Sequence, residues 1–138
     1  MTENIVDAVE AQHRSLERVV REIQAAVDRQ DAAAASEKLT QLKQLLVAHL
    51  ALENAQFYPR FVELAARQPR VLKVAELFQT NMKTIAEGVM VFFERYEGKP
   101  VDFATFTPEW NSTVKTLAAR IQQEEQTLHP MFRRLQPR

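Results

Sequence analysis

The stretch from residue 39 to residue 59, LTQLKQLLVAHLALENAQFYP, carries the pattern on which the fold assignment depends. Its large side chains recur in steps of three and four residues, a spacing that brings them to one face of an α-helix. Two polar residues share that apolar face, because His49 and Glu53 continue the row that the leucines begin. The pattern therefore predicts an amphipathic helix over residues 31–57 with a polar pair on its core side.

Three further segments show the same periodicity. They cover residues 4–30, residues 71–97 and a last helix that begins with Thr107 as its cap and Pro108 in its first turn. Four helices of this length, joined by short connections, favour an all-α, antiparallel up-down-up-down four-helix bundle. We expect this bundle to form one domain over residues 1–138.

Single residues mark the predicted ends and kinks of these helices. Asp31 precedes an alanine run and is expected to be the N-cap of the second helix. Gly98 is expected to end the third helix. Pro59 and Pro130 lie inside otherwise helical patterns, so each should kink or restart its helix.

Composition excludes several classes of function. The 18 Lys and Arg residues balance 18 Asp and Glu residues, so the chain lacks the basic charge of a general nucleic-acid binder. The absence of cysteine excludes disulfides, thiolate metal sites and cysteine nucleophiles. No apolar run is long enough for a bilayer, and the polar start, Met1-Thr2-Glu3-Asn4, is unlike a signal peptide. These features predict a cytoplasmic protein that binds neither nucleic acid nor membrane.

Polar side chains interrupt the apolar faces at similar depth in three of the helices. His13 lies in the first helix, His49 and Glu53 in the second, and Glu124 in the last, with Arg120 one turn before it. Burying such groups is costly unless they are paired or coordinated. Either they satisfy one another in an ion-pair network, or they hold a metal ion between facing helices, as bundles of this type commonly do.

The segment quoted above recurs in the last helix. HLALENAQFYP at residues 49–59 aligns with RIQQEEQTLHP at residues 120–130, with a constant offset of 71 residues. Glutamate and proline are identical in the two copies, and the positions of Leu50 and Phe57 remain apolar in the second copy. This repeat predicts two helical hairpins about a pseudo-twofold axis, with Glu53 and Glu124 on opposite sides of the core.

The spacing His-x-x-x-Glu-x-x-x-Phe-Tyr-Pro at residues 49–59 resembles the signature of hemerythrin-like, or HHE cation-binding, domains. The resemblance extends over nearly the whole chain. Members of that family hold a carboxylate-bridged di-iron centre that binds oxygen, or that senses oxygen, nitric oxide or iron. The resemblance implies four metal ligands in this chain, which are His13, His49, Glu53 and Glu124.

Two departures from the family pattern imply an incomplete site. Arg120 stands where the family has a histidine, and the third helix offers Met82 or Asn81 where another histidine belongs. An arginine has no lone pair to offer a metal ion. The expected cofactor is a mononuclear iron, an incomplete di-iron site, or no metal at all if Arg120 pairs with Glu53 or Glu124 instead.

A weaker similarity points to another class of protein. The run LAAR at residues 117–120, followed by EE at 124–125, resembles the last helix of the Rsd/AlgQ regulators. It implies a metal-free regulator that binds a sigma factor or another protein partner. No nucleophile, phosphate loop or organic cofactor motif is present, so under either resemblance we expect a non-enzymatic, regulatory protein, and a homodimer through an exposed helix face is compatible with both.

Two neighbours of the predicted ligands carry their own expectations. Glu125 should face solvent, since it lies one residue away from the core position of Glu124. His129 aligns with Tyr58 in the repeat, so it should pack at the end of the bundle, with a replacement metal ligand as the alternative role.

Overall fold

The computed structural model describes residues 4–137, and these form helices and connecting turns without any β-strand. The helices are α1 (Ile5–Asp28), α2 (Ala32–Leu52), α3 (Tyr58–Leu64), α4 (Pro69–Tyr96), α5 (Phe103–Gln123) and α6 (His129–Leu135). A first π-turn, Glu53–Phe57, joins α2 to α3, and a second π-turn, Glu124–Leu128, joins α5 to α6. The chain therefore forms four helical rods, which are α1, α2 continued by α3, α4, and α5 continued by α6. This confirms the all-α prediction. Residues 1–3, on which the expectation about the sequence start depends, lie outside the described residues.

Each rod packs against at least two others. Helix α1 contacts α2 and α5, and helix α4 contacts the same two helices from the opposite side. The connections at residues 29–31, 65–68 and 97–102 are too short to cross the bundle, so each one reverses the direction of the chain. The arrangement is the predicted antiparallel up-down-up-down four-helix bundle.

Two of the predicted helix ends are confirmed. The Asp31 side chain accepts a hydrogen bond from the backbone N–H of Ala34 at 3.0 Å, as an N-cap does. Helix α4 ends at Tyr96, and Gly98 follows with a φ of 68°, a left-handed conformation that glycine adopts without strain.

The predicted start of the last helix is wrong. The helix begins at Phe103, where Asp102 accepts a hydrogen bond from the backbone N–H of Ala104 at 3.1 Å, and Pro108 lies inside the helix instead of in its first turn. The earlier start places Phe106 one turn before Trp110, and the two buried rings stack in the core. Burial of two aromatic side chains outweighs the hydrogen bond that the proline removes.

A π-turn precedes each of the two prolines that were predicted to disturb a helix. Proline has no N–H to donate to the carbonyl four residues back, so the regular α-helical ladder cannot pass through it. The backbone N–H groups of Tyr58 and His129 instead reach five residues back, to the carbonyls of Glu53 and Glu124. All bounds of α5, the second π-turn and α6 lie 71 residues after those of α2, the first π-turn and α3, so the sequence repeat is also a structural repeat.

Apolar side chains form two clusters inside the bundle. The larger cluster lies towards the α5 start and contains Leu39, Phe93 and Trp110, whereas the smaller one contains Phe57 and Phe132. The predicted polar residues lie along the helices between these two clusters, so they form a polar layer across the core. No helix among residues 4–137 combines the length and the apolar character that crossing a membrane requires.

Candidate metal centre

The polar layer brings together the four side chains that the sequence singled out. His13 comes from α1, His49 from α2, Glu53 from the first π-turn and Glu124 from the second. All four are almost completely buried, with exposed fractions of 3% or less. One nitrogen or oxygen of each residue lies within 4.8 Å of the corresponding atom of every other. Sequence reasoning thus identified four residues that the fold places at one point.

The π-turns determine where the two glutamates lie. Each glutamate is the first residue of its turn, and its backbone carbonyl accepts the hydrogen bond that closes the turn. Because the two turns are equivalent in the repeat, Glu53 and Glu124 approach the polar layer from opposite rods. π-turns inside α-helices often occur at functional sites, since the wider turn displaces side chains from their regular positions.

Hydrogen bonds on the outer side fix the orientation of both imidazole rings. The Nδ1 atom of His49 lies 2.8 Å from Oε1 of Gln12, and the Nδ1 atom of His13 lies 2.6 Å from Oε2 of Glu125. Both partners are acceptors, so each Nδ1 carries the proton and donates it. The Nε2 atom of each ring then points into the cluster, and this is how metal-binding histidines are commonly held.

Glu125 therefore does not simply face solvent, and that prediction is wrong. Its side chain is 23% exposed, and it also forms an ion pair with Arg14 on α1. The position one residue after Glu124 lies at the border of the α1 contact, so a long glutamate side chain there bends back to reach His13. The pattern of core positions in the sequence does not predict the contact between Glu125 and His13, because that contact depends on how closely α1 and the second π-turn approach.

Several atoms inside the cluster have no hydrogen-bond partner among the described residues. They are His13 Nε2, Glu124 Oε1 and both carboxylate oxygens of Glu53. His13 Nε2 and Glu124 Oε1 are 3.0 Å apart, but their direction is not that of a hydrogen bond, and His49 Nε2 and Glu53 Oε1 are 3.4 Å apart. Unpaired buried polar atoms are costly and call for a further partner.

A divalent cation fits these donors. Ligand atoms about 2.1 Å from one ion are about 3.4 to 4.2 Å apart, so a small contraction of the observed cluster would bring all four to bonding distance. Two imidazole nitrogens with carboxylate oxygens suit zinc or iron. The cation would also satisfy the orphaned atoms of Glu53 and Glu124.

Comparison with known proteins agrees with this geometry. The family model of the hemerythrin HHE cation-binding domain matches residues 4–132. The chain belongs to this family. No curated protein and no solved structure matches the chain. The centre of this hemerythrin-like domain departs from the family pattern at the two positions identified from the sequence.

The first departure, Arg120, occupies the repeat position of His49 and pairs with one of the two glutamates. Its Nε atom donates to Oε2 of Glu124 at 2.7 Å, and its NH2 atom donates to the Tyr58 hydroxyl at 2.8 Å. The guanidinium carbon also lies 4.7 Å from the centre of the Phe78 ring, a cation–π contact. The arginine uses only one oxygen of Glu124, so the other oxygen remains directed at the cluster.

The second departure lies on α4. Met82 is buried and lines the cavity beside the cluster, whereas Asn81 is exposed and contacts Arg120 at 3.4 Å. Neither side chain is a preferred ligand for a second iron, and α4 contributes no histidine or carboxylate to the four converging donors. Within the described residues, the four converging donors could hold one metal ion.

The buried charges influence one another strongly. Burial raises the pKa of Glu53, and the negative charge of Glu124 raises it further. Burial acts in the same direction on Glu124, but His13 and Arg120 outweigh it and lower the pKa of Glu124 to about 2. Burial lowers the pKa of His49 to about 4. His49 is therefore neutral at pH 7, and a metal ion would oppose the raised pKa of Glu53 by favouring its ionised form.

His129 lies beside the centre and not among its four converging donors. Its fully buried ring stacks on that of His13, with the ring centres 5.8 Å apart, and it packs against Phe57. Its Nδ1 atom lies 2.8 Å from Oε2 of Glu10, while its Nε2 atom has no hydrogen-bond partner among the described residues. The ring therefore supports His13 from the side of the smaller apolar cluster.

Proposed function

We propose that this hemerythrin-like domain binds a single divalent cation, most favourably iron, and acts as a non-enzymatic sensing or regulatory protein. The observation that carries the proposal is the convergence of four buried donor residues, three of which have an inward atom without a hydrogen-bond partner within residues 4–137. The proposed ligands are His13, His49, Glu53 and Glu124. Iron bound there would supply reversible one-electron chemistry and open coordination positions for a diatomic ligand.

The residues around the proposed ligands have different roles in holding the ion. Glu125 and Gln12 hold the two imidazole rings with Nε2 inward, so little side-chain entropy is lost when the ion binds. Arg120 holds one oxygen of Glu124 and leaves the other for the ion. Burial and the charge of Glu124 raise the pKa of Glu53, and a bound cation would lower it by favouring the carboxylate.

The non-enzymatic part of the proposal is supported by the lining of the adjoining cavity. Its walls are mostly apolar. A protein that captures a ligand and changes state fits this lining better than one that transforms a polar substrate.

The stoichiometry of iron binding tests this proposal. Purified protein is incubated with ferrous iron without oxygen, passed through a desalting column and analysed for metal. We expect close to one iron per chain, and we expect His49→Ala to retain almost none. Gln44→Ala, an exposed change on the same helix, is the matched control and should retain the iron. Two irons per chain, or no retained iron, would contradict the proposal.

The ion pair between Arg120 and Glu124 favours a second candidate function. It supplies positive charge to one of the two carboxylates without any metal, as a metal-free relative would require. In that case the domain is an Rsd/AlgQ-type regulator that binds a primary sigma factor or another protein. Gel filtration of the metal-free domain with a purified primary sigma factor tests this candidate. A stable complex supports it, and separate elution of the two proteins counts against it.

A further inference from the structure

The cavity beside the polar layer is larger than the proposed centre requires. Its volume is about 380 Å³, within the range of pockets that bind small organic molecules and well above the space of a diatomic gas. Leu42 and Leu46 form one wall, Leu117 and Ile121 the other, and Met82 lies between them. The cavity follows the seam between α1 and α5.

The cavity is elongated along the bundle. On α1 its lining extends from His13 to Arg21, which is about 12 Å at the rise of an α-helix. On α5 the lining extends in the opposite direction, from Glu124 back to Val114. One end is therefore the polar layer, and the other end reaches the surface near Arg21. This length matches an extended saturated chain of about eight to ten carbons.

The outer end of the cavity carries a free positive charge. Arg21 is exposed and forms no ion pair with any residue of the described range 4–137. Glu17 also lines the cavity, but its carboxylate is paired with Arg14 at 3.1 Å. The inner end carries the carboxylate of Glu124, which would repel an anion. A ligand with one acidic end therefore fits with that end outward and its apolar chain inward.

We propose that this cavity binds a medium-chain fatty acid, with its carboxylate on Arg21 and its chain along the leucine walls towards Met82. The site adjoins the proposed metal centre, because His13, His49 and Glu124 line the inner end of the cavity, but the chain contacts the apolar walls and the head group contacts α1 at the surface. The methyl end of the chain would lie beside His49 and keep water away from the polar layer. Binding at this site would thus couple the presence of a fatty acid to the exclusion of water from the polar layer.

Calorimetric titration of the metal-free protein with decanoate tests the proposal. We expect saturable binding of one decanoate per chain. Removing CH₂ groups should weaken binding about fourfold for each group, so hexanoate, which lacks four of them, should bind about 250-fold more weakly. Decanedioate should bind at least tenfold more weakly than decanoate, because its second carboxylate would face Glu124. No saturable binding, or equal binding of decanedioate, would overturn the proposal.

Two pairs of variants locate the site. Ala118→Trp, at an exposed position on the cavity lining, should reduce the affinity at least tenfold, whereas Ala119→Trp, at the next exposed position outside the lining, should not change it. Arg21→Ala should weaken decanoate binding about fivefold, and Arg18→Ala should leave it unchanged. Circular dichroism confirms that each variant is folded. Equal effects within either pair would overturn the assignment.

Discussion

Glu53 and Glu124 occupy equivalent positions of the repeat but have different surroundings. Glu124 contacts Arg120 and His13, so it is ionised in the folded protein even though it is buried. Neither oxygen of Glu53 has a hydrogen-bond partner among residues 4–137, and burial raises the pKa of this carboxyl group. The difference of histidine against arginine at positions 49 and 120, together with the contact between His13 and Glu124, makes the pseudo-symmetric site electrostatically asymmetric. Arg120 thus stabilises the metal-free centre on one side only.

Removing Arg120 tests its role in the metal-free protein. Arg120→Leu should lower the free energy of unfolding by about 3–5 kcal/mol, because the buried carboxylate of Glu124 loses its cationic partner. The measurement is urea unfolding in the presence of a chelator. The double variant Arg120→Leu with Glu124→Leu should be within about 1 kcal/mol of the unaltered protein, or more stable, since no charge is then left unpaired. A double variant as unstable as the single one would contradict this account.

The four converging residues could be predicted because each one replaces an apolar residue in a regular row. A buried polar residue in such a row has few partners except the others of its kind, so the rows alone bring His13 towards Glu124. The support from Glu125 could not be predicted, because it depends on the distance between α1 and the second π-turn. Which of the two glutamates pairs with Arg120 also could not be predicted, because the sequence is compatible with a contact to either Glu53 or Glu124.

At the scale of elements, the two π-turns connect the repeat to the site. Each proline removes one α-helical hydrogen bond, and the preceding turn widens so that the buried glutamate at its start remains in the polar layer. The disturbance at each proline could be predicted from the chemistry of proline. Its form as a π-turn before the proline, instead of a kink at the proline, could not, because both relieve the missing hydrogen bond.

The start of α5 provides a test at the same scale. Asp102→Ala should lower the free energy of unfolding by about 1 kcal/mol, because it removes the acceptor for the Ala104 N–H. Thr107→Ala should change it by less than about 0.5 kcal/mol, since Thr107 lies inside the helix. Both values come from urea unfolding. A larger loss in Thr107→Ala than in Asp102→Ala would indicate that the helix begins at the proline after all.

The wrong start of α5 has a physical cause. A threonine followed by proline and glutamate has every local feature of a helix beginning, and local features were all that the sequence offered there. The decisive interaction is the stack of Phe106 on Trp110 in the core, which requires the helix to be formed before Pro108. Tertiary packing therefore determines this boundary.

At the scale of the whole molecule, the polar layer divides the core into two apolar clusters. A layer whose atoms lack partners weakens the metal-free bundle, and an ion that binds there joins α1, α2 and both π-turns. Because the unfolded chain does not assemble this site, the free energy of binding adds to the stability of the fold.

Iron should therefore stabilise the bundle against heat. At a free ferrous iron concentration about 100 times the Kd, the gain is about 2.7 kcal/mol. For a chain of this size that gain corresponds to a rise in Tm of roughly 8–10 °C. Differential scanning calorimetry without oxygen measures it. Glu53→Gln should abolish the rise, and Glu94→Gln, an exposed matched control, should keep it. An equal rise in Tm with magnesium would contradict a site with two histidine ligands, because magnesium prefers oxygen ligands.

The most direct test of the central claim is a crystal structure of the iron-loaded protein with an anomalous difference map recorded at the iron absorption edge. We predict one peak per chain, within bonding distance of Nε2 of His13 and His49 and of carboxylate oxygens of Glu53 and Glu124. The Arg120 guanidinium should remain on the other oxygen of Glu124. Two peaks at the centre, a peak outside the polar layer, or no peak after loading would contradict the claim.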